Sequence, residues 1–167
     1  MTGLTPAARA LLDEARRAVL GTLTAEGRAR LVPVCFWLAA EAGPLRVYTA
    51  LDEKPKQDPD PRRLARVRDL LARPAVTLLV DRWEEDWRRL TWVRLDGTAR
   101  LLEPAGPDRA EPARAAEHAT AVAGLRARYP QYRAHDLAAR PVIALSVERV
   151  VSWAAASRIA ATPLAPG

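Results

Sequence analysis

AVLGTLTAEGRARLVPVCFWL, residues 18–38, is the stretch on which the fold turns. Two apolar runs flank Ala25-Glu26-Gly27, which has the composition of a hairpin turn. In the second run Val32, Val34 and Phe36 fall on one face of a strand, and Leu31, Pro33, Cys35 and Trp37 on the other. Both faces are apolar, which predicts a strand buried on both sides. Pro33 offers no amide proton to a ladder, which predicts an edge position or a bulge.

Working outward, Thr5-Pro6 is an N-cap followed by proline at the first helical position. Leu4, Ala8, Leu11, Leu12, Ala15 and Val19 recur at helical spacing, so a first helix is expected to end near Arg17. LRVYTAL reads as a third strand. Asp60-Pro61 opens a second helix, PRRLARVRDLLA, which stops at Arg73-Pro74. AVTLLVDRW and TWVRLDGTARLLE read as strands, with a bulge or bend expected at Asp96-Gly97. Residues 108–128 read as helix, RYPQYR as a turn and PVIALSVERVVSW as the last strand. Six or seven strands with helices at the start, middle and late part predict one mainly β domain over residues 1–153, an antiparallel barrel with peripheral helices. Residues 154–167 are expected to be a loosely held tail.

Composition narrows the function classes. The chain has 167 residues, a net charge of +6 and one cysteine. A single cysteine allows no internal disulfide and fits a reducing compartment. No apolar run approaches the ~20 residues that span a bilayer, and the start lacks the pattern of a signal peptide. These features predict a cytoplasmic protein without membrane contact. The arginines are scattered among Asp and Glu rather than gathered into a block, which argues against nucleic acid as a partner.

Catalytic constellations of side chains are missing. His118 and His135 sit in polar surroundings and read as surface residues, and Cys35 reads as core. No phosphate loop of the Walker or dinucleotide-binding type occurs. If the protein is an enzyme, a cofactor carries the chemistry. Of 26 basic residues only Lys54 and Lys56 are lysine, and both lie in LDEKPKQDPDPRRL, between a strand and a helix start. Such a place suits a phosphate, although two solvated charges explain the spacing equally well. Trp83, Trp87, Trp92 and Trp153 read first as core or dimer surface. They are also able to wall a slot for a flat ring, with Arg94 on the same strand face as Trp92.

GTLTAEGRARLVPVCFWL, LRVYTALDEKPK, RRLARVRDLLARPAVTLLVD and RLTWVRLDGTARLL together resemble the FMN-binding split-barrel proteins related to pyridoxamine 5′-phosphate oxidase. The KPK loop, DRWEEDWRRLTWVRLDGTAR and the YPQY turn resemble the branch of F420-dependent oxidoreductases. The resemblance covers about residues 7–153. It implies a six-stranded antiparallel split β-barrel, a homodimer, and a flavin or deazaflavin (F420, alternatively FMN) in a groove between subunits. It implies that Lys54 and Lys56 hold the cofactor phosphate. It implies that the ring lies against Val32, Pro33, Val34 and Cys35 and against Tyr48, Thr49 and Ala50. The partner subunit is implied to contribute from near Trp92, Arg94 and Trp153. Gln57 stands where a further basic residue would suit the family, and the oxidase's own substrate-binding residues find no match. The implied activity is hydride transfer to a small organic acceptor. A non-catalytic carrier of flavin, deazaflavin or haem is the competing expectation.

Overall fold

A computed structural model of the chain describes residues 4–39, 43–52, 60–104 and 112–155. Its strands are β1 (Ala18–Leu23), β2 (Ala29–Val34), β3 (Trp37–Ala39), β4 (Arg46–Ala50), β5 (Ala75–Arg82), β6 (Thr91–Leu102) and β7 (Val142–Ala154). They form one antiparallel sheet in the order β2-β1-β5-β6-β7-β4-β3. Every strand sends a side chain into a common buried cluster, from Leu20 of β1 to Val34 of β2 and Leu38 of β3. The sheet therefore curls around one core, as a split barrel does. Helices α1 (Pro6–Glu14) and α2 (Ala65–Ala72) add Leu11, Leu12, Val67 and Leu70 to that cluster.

Helix α3 (Pro112–Arg128) covers a second cluster on the other side of β4. There Ala121, Val122 and Leu125 meet Tyr48, Ala50, Leu102, Val142 and Ala144. Strand β4 is thus buried on both faces, Val47 toward the barrel and Tyr48 toward α3. No described helix is long and apolar enough to cross a membrane.

The hairpin expected from residues 18–38 forms. Gly27 has φ +82°, the left-handed region that a side chain disfavours, and its amide donates to the Thr24 carbonyl. Two details differ from the sequence reading. Strand β2 lies at the edge of the sheet, as Pro33 required, and is not buried on both sides: Leu31 is 68% exposed. The second apolar run also breaks at Cys35-Phe36, giving β2 and β3 and seven strands among the described residues where the family pattern implied six.

Tyr129 fixes that break. Its hydroxyl donates to the Phe36 carbonyl at 2.8 Å and accepts from the Phe36 amide at 3.0 Å. Beside it, Arg128 donates to the carbonyls of Leu12, at 2.7 Å, and Ala15. These are orphan acceptors at the end of α1. The same guanidinium lies 4.8 Å over the Phe36 ring. One turn after α3 therefore joins α1 to the β2–β3 break.

Other boundaries shift by physical detail. α1 stops at Glu14, three residues before Arg17. The second helix is interrupted: Asp60 caps a short 3-10 turn at Pro61–Arg63, and α2 starts afresh after Leu64. The irregularity expected at Asp96-Gly97 occurs. The register jumps from Asp96↔Arg149 to Gly97↔Val147, so the extra residue is Glu148 on β7. The late helix begins at Pro112, residues 105–111 lie outside the described residues, and the last strand runs to Ala154.

Candidate functional site

The residues named from sequence fall on three surfaces. Pro33, Trp92, Arg94 and Trp153 share the outer face of the sheet. Pairing sets a continuous row across it: Pro33, Val19, Leu79, Arg94 and Val151. Pro33 and Arg94 are three strand spacings apart, about 14 Å. Trp92 and Trp153 stand directly opposite one another on β6 and β7. Arg94 bonds Asp96 Oδ2 at 3.1 Å, and Thr77 donates to the other oxygen of Asp96. Leu31, Pro33, Leu79, Val151 and Trp153 make much of this face apolar, and nothing among the described residues covers it completely. Trp83 and Trp87, in the β5–β6 connection, are exposed rather than core.

Cys35, Tyr48 and Ala50 instead lie on the α3 side. Tyr48 stacks on Trp37 with ring centroids 5.6 Å apart. Its hydroxyl donates to Glu117 Oε1 at 3.0 Å, and Arg46 donates to the same oxygen. Arg100 donates to Oε2 of Glu117. Burial would raise the Glu117 pKa, but the hydrogen bonds from Arg100 and Tyr48 and the charges of Arg100 and Arg46 outweigh it. The carboxyl is held below its ordinary value of 4.5. A group whose folded pKa is depressed stabilises the fold above its unfolded pKa and loses that contribution as pH falls through the folded value. Glu117→Gln is therefore expected to melt earlier than wild type at pH 7, with the gap closing as pH drops below 4.5. Arg46 and Arg100 are about 40% exposed, so screening limits the gap to roughly 1 kcal/mol. Thermal melts at pH 7 and pH 3.5 check it, and a gap that widens in acid would refute the assignment.

Val32, Val34 and Thr49 face the barrel side. Val34 is core, and the Thr49 hydroxyl is buried without a hydrogen-bond partner. Lys54 and Lys56 lie outside the described residues.

A further site was not foreseen. Between the edge of β2 and the start of α2 runs a cleft of about 670 Å³. Arg30, Leu31 and Val32 form one wall, and Arg63, Leu64, Arg66 and Arg68 the other. No carboxylate lines it among the described residues. Arg30 is braced from behind: its Nε bonds Asp69 Oδ2 at 2.6 Å, and Thr22 donates to the same oxygen at 2.9 Å. Asp69 is 7% exposed, so this carboxylate serves as a buried strut. Arg66 differs. Its Nε is buried and has no hydrogen-bond partner among the described residues. Burial lowers its pKa, and the charge of Asp52 opposes that shift. No side chain caps the start of α2, which lies at this wall of the cleft. A half-buried guanidinium whose Nε is unbonded, beside an uncapped helix start, has the chemistry of an anion site.

The histidines correct the sequence reading in part. His118 is 4% exposed, with Nε2 2.8 Å from the Arg140 carbonyl oxygen. His135 is half-buried, edge-on to Tyr132. Cys35 is half-buried against the α3 cluster rather than fully core. No group of three His, Cys, Asp or Glu is placed to hold a metal among the described residues.

The family model for pyridoxamine 5′-phosphate oxidase matches residues 4–154. No curated protein matches the sequence. Among solved structures, a conserved hypothetical protein from Mycobacterium tuberculosis superposes with TM-score 0.65 at 17% identity, over 99% of this chain and 93% of that one. HutZ, the heme storage protein from Vibrio cholerae, superposes with TM-score 0.61 at 16% identity, over 90% of this chain and 94% of its own. A FAD-binding protein from Mesorhizobium loti gives TM-score 0.57 at 19% identity, over 86% of this chain and 89% of that one. At these identities the likeness is one of fold.

Proposed function

The chain belongs to the pyridoxamine 5′-phosphate oxidase family, and from that premise we propose that it is an oxidoreductase binding a phosphate-bearing deazaflavin or flavin, F420 first and FMN as the alternative. The observation that carries this reading is the arginine cleft, above all the buried Arg66 Nε that no group among the described residues satisfies. A buried N–H without an acceptor is costly, and a ligand phosphate removes that cost.

The donors present fit such a group. Arg30, held rigid by Asp69 and Thr22, and Arg66 at the start of α2 grip the phosphate, and Lys54 and Lys56 add charge from the adjoining segment. The exposed edge of β2 offers backbone groups to the polar rim of the ring. When bound in its reduced form, the cofactor supplies the hydride that a small organic acceptor takes up. The chain's residues bind, orient and exclude water. A second copy covers the apolar outer face, which is how Trp92, Arg94 and Trp153 reach the partner's cofactor. His118 lends a haem-carrying reading no support, since it is spent on the Arg140 carbonyl.

Titration of the purified protein with F420 and with FMN, followed by fluorescence, tests the reading. Affinity weaker than ~100 µM for both, about −5.5 kcal/mol, would sink it. Arg66→Ala is expected to weaken binding of the phosphate-bearing cofactor by about 1.5–3 kcal/mol. Lys54→Ala and Lys56→Ala are expected to cost about 1–3 kcal/mol each in the same titration. Binding without turnover across a panel of electron acceptors would favour the carrier over the enzyme.

A further inference from the structure

Arg62 stands one residue before the arginine wall of the cleft, yet it does not line it. Its guanidinium turns instead to Glu103, the residue after the end of β6. There Nε donates to Oε1 at 3.1 Å and Nη2 donates to Oε2, a bidentate pair. On its other side Nη1 lies 3.5 Å from Asp60 Oδ1, and that oxygen accepts from the Arg62 amide at 3.0 Å. Two carboxylates thus face one guanidinium, and Arg62 has no charge to spare for a ligand. The Arg62 and Glu103 side chains are 39% and 31% exposed, so solvent screens the pair only in part.

The pair fixes the backbone from which the wall departs. Arg62 lies in the 3-10 turn Pro61–Arg63, and α2 starts two residues later, after Leu64. The amides of Val67 and Arg68 donate to the Leu64 carbonyl, so the first turn of α2 is built on that residue. The core anchors of the helix, Val67 and Leu70, hold its middle and end. A helix of eight residues has little stability of its own. The place of its first turn, and of Arg66 within it, therefore depends on what holds the chain just before.

We propose that Arg62 and Glu103 are positioning residues, a clamp that ties the turn before α2 to the end of β6 and so keeps Arg66 across the cleft from Arg30 for an anionic ligand. The role rests on the anion-binding reading of the cleft given above. It has a consequence opposite to simple electrostatics. Glu103 is an anion near an anion site, and by charge alone its removal would tighten binding. As half of a clamp, its removal loosens binding.

The test uses the full chain as wild type, Glu103→Ala, Arg62→Ala, the double alanine variant and Arg62→Lys. FMN and F420 are the probes, read by fluorescence titration, with circular dichroism checking each fold. Glu103→Ala is expected to bind both about fivefold more weakly, the loss of roughly one hydrogen bond's worth of alignment. Arg62→Ala is expected to match it, and the double variant to be no weaker than either single, because one clamp is broken in all three. Arg62→Lys keeps the charge and loses the planar fork, and is expected to bind about threefold more weakly. It tests the idea even if the alanine variants fail to fold. Equal or tighter binding by Glu103→Ala, a double variant that returns to wild-type affinity, or unchanged affinity in Arg62→Lys would each overturn the clamp while leaving the cofactor reading in place. Folded wild type that binds neither FMN nor F420 would overturn the cofactor reading itself, and this role with it.

Discussion

Replacing Gly97 with alanine is expected to destabilise the protein by at least about 3 kcal/mol, a fall in Tm on the order of 10 °C for a chain of this size. A β-carbon at that position would land on the Ser146 carbonyl oxygen, with the Leu145 side chain 3.1 Å away on the same side. The obstacle is backbone, so no rotamer change relieves it. It also lies within the longest ladder of the sheet, where Thr91–Leu102 runs against Val142–Ala154. Relief would require β6 and β7 to part beside the Glu148 bulge, where Thr98 bonds the Glu148 carboxylate at 3.0 Å. Both strands carry core residues, among them Leu95, Ala99, Leu145 and Val147, so parting them opens the barrel. Thermal and urea denaturation of Gly97→Ala give the result directly. A loss below about 1 kcal/mol would mean that the two strands do not approach as described.

Tyr129→Phe is expected to cost about 2–4 kcal/mol, although it removes one oxygen atom from a surface-distant ring. The hydroxyl satisfies both backbone groups of Phe36 where the chain leaves the sheet between β2 and β3. Phe36 is fully buried and Tyr129 is 5% exposed, so water does not readily replace the lost partner. Two orphaned backbone groups, each costing about 1–3 kcal/mol, account for the magnitude. The phenylalanine ring keeps the packing, including the edge contact with Tyr132. Urea melts with an unchanged m-value and a lower midpoint are the expected signature. A midpoint equal to that of wild type would show that Phe36 finds other partners.

These two positions also show what the sequence could disclose. Gly97 was legible, because Asp-Gly inside an alternating strand announces an irregularity. That the extra residue sits on the opposite strand, at Glu148, was not legible, since register belongs to the pair. The break at Phe36 was hidden in an unbroken apolar run. Its cause is a hydroxyl 93 residues away. His118 carried a signal that composition masked: it shares helical spacing with Ala121, Val122 and Leu125 on the buried face of α3, but alanine-rich surroundings made that face look weak. The cleft was obscured by abundance. In a chain whose basic residues are almost all arginine, Arg63, Arg66 and Arg68 looked like background, while the two rare lysines drew attention to the segment next to them. The outer face was half visible, since Pro33 placed β2 at an edge, but only the pairing put Pro33 and Arg94 in one row.

The junction at Arg128 has a consequence for synthesis. The last carbonyls of α1 are capped by a side chain 113 residues downstream of Ala15. At a ribosomal pace of about 5–20 residues per second, that cap follows its helix by roughly 6–23 s. Through that interval the first hairpin is outside the ribosome with β2 still an open edge. Pro33 and the charged Arg28 and Arg30 then act as gatekeepers against pairing with a neighbouring nascent chain.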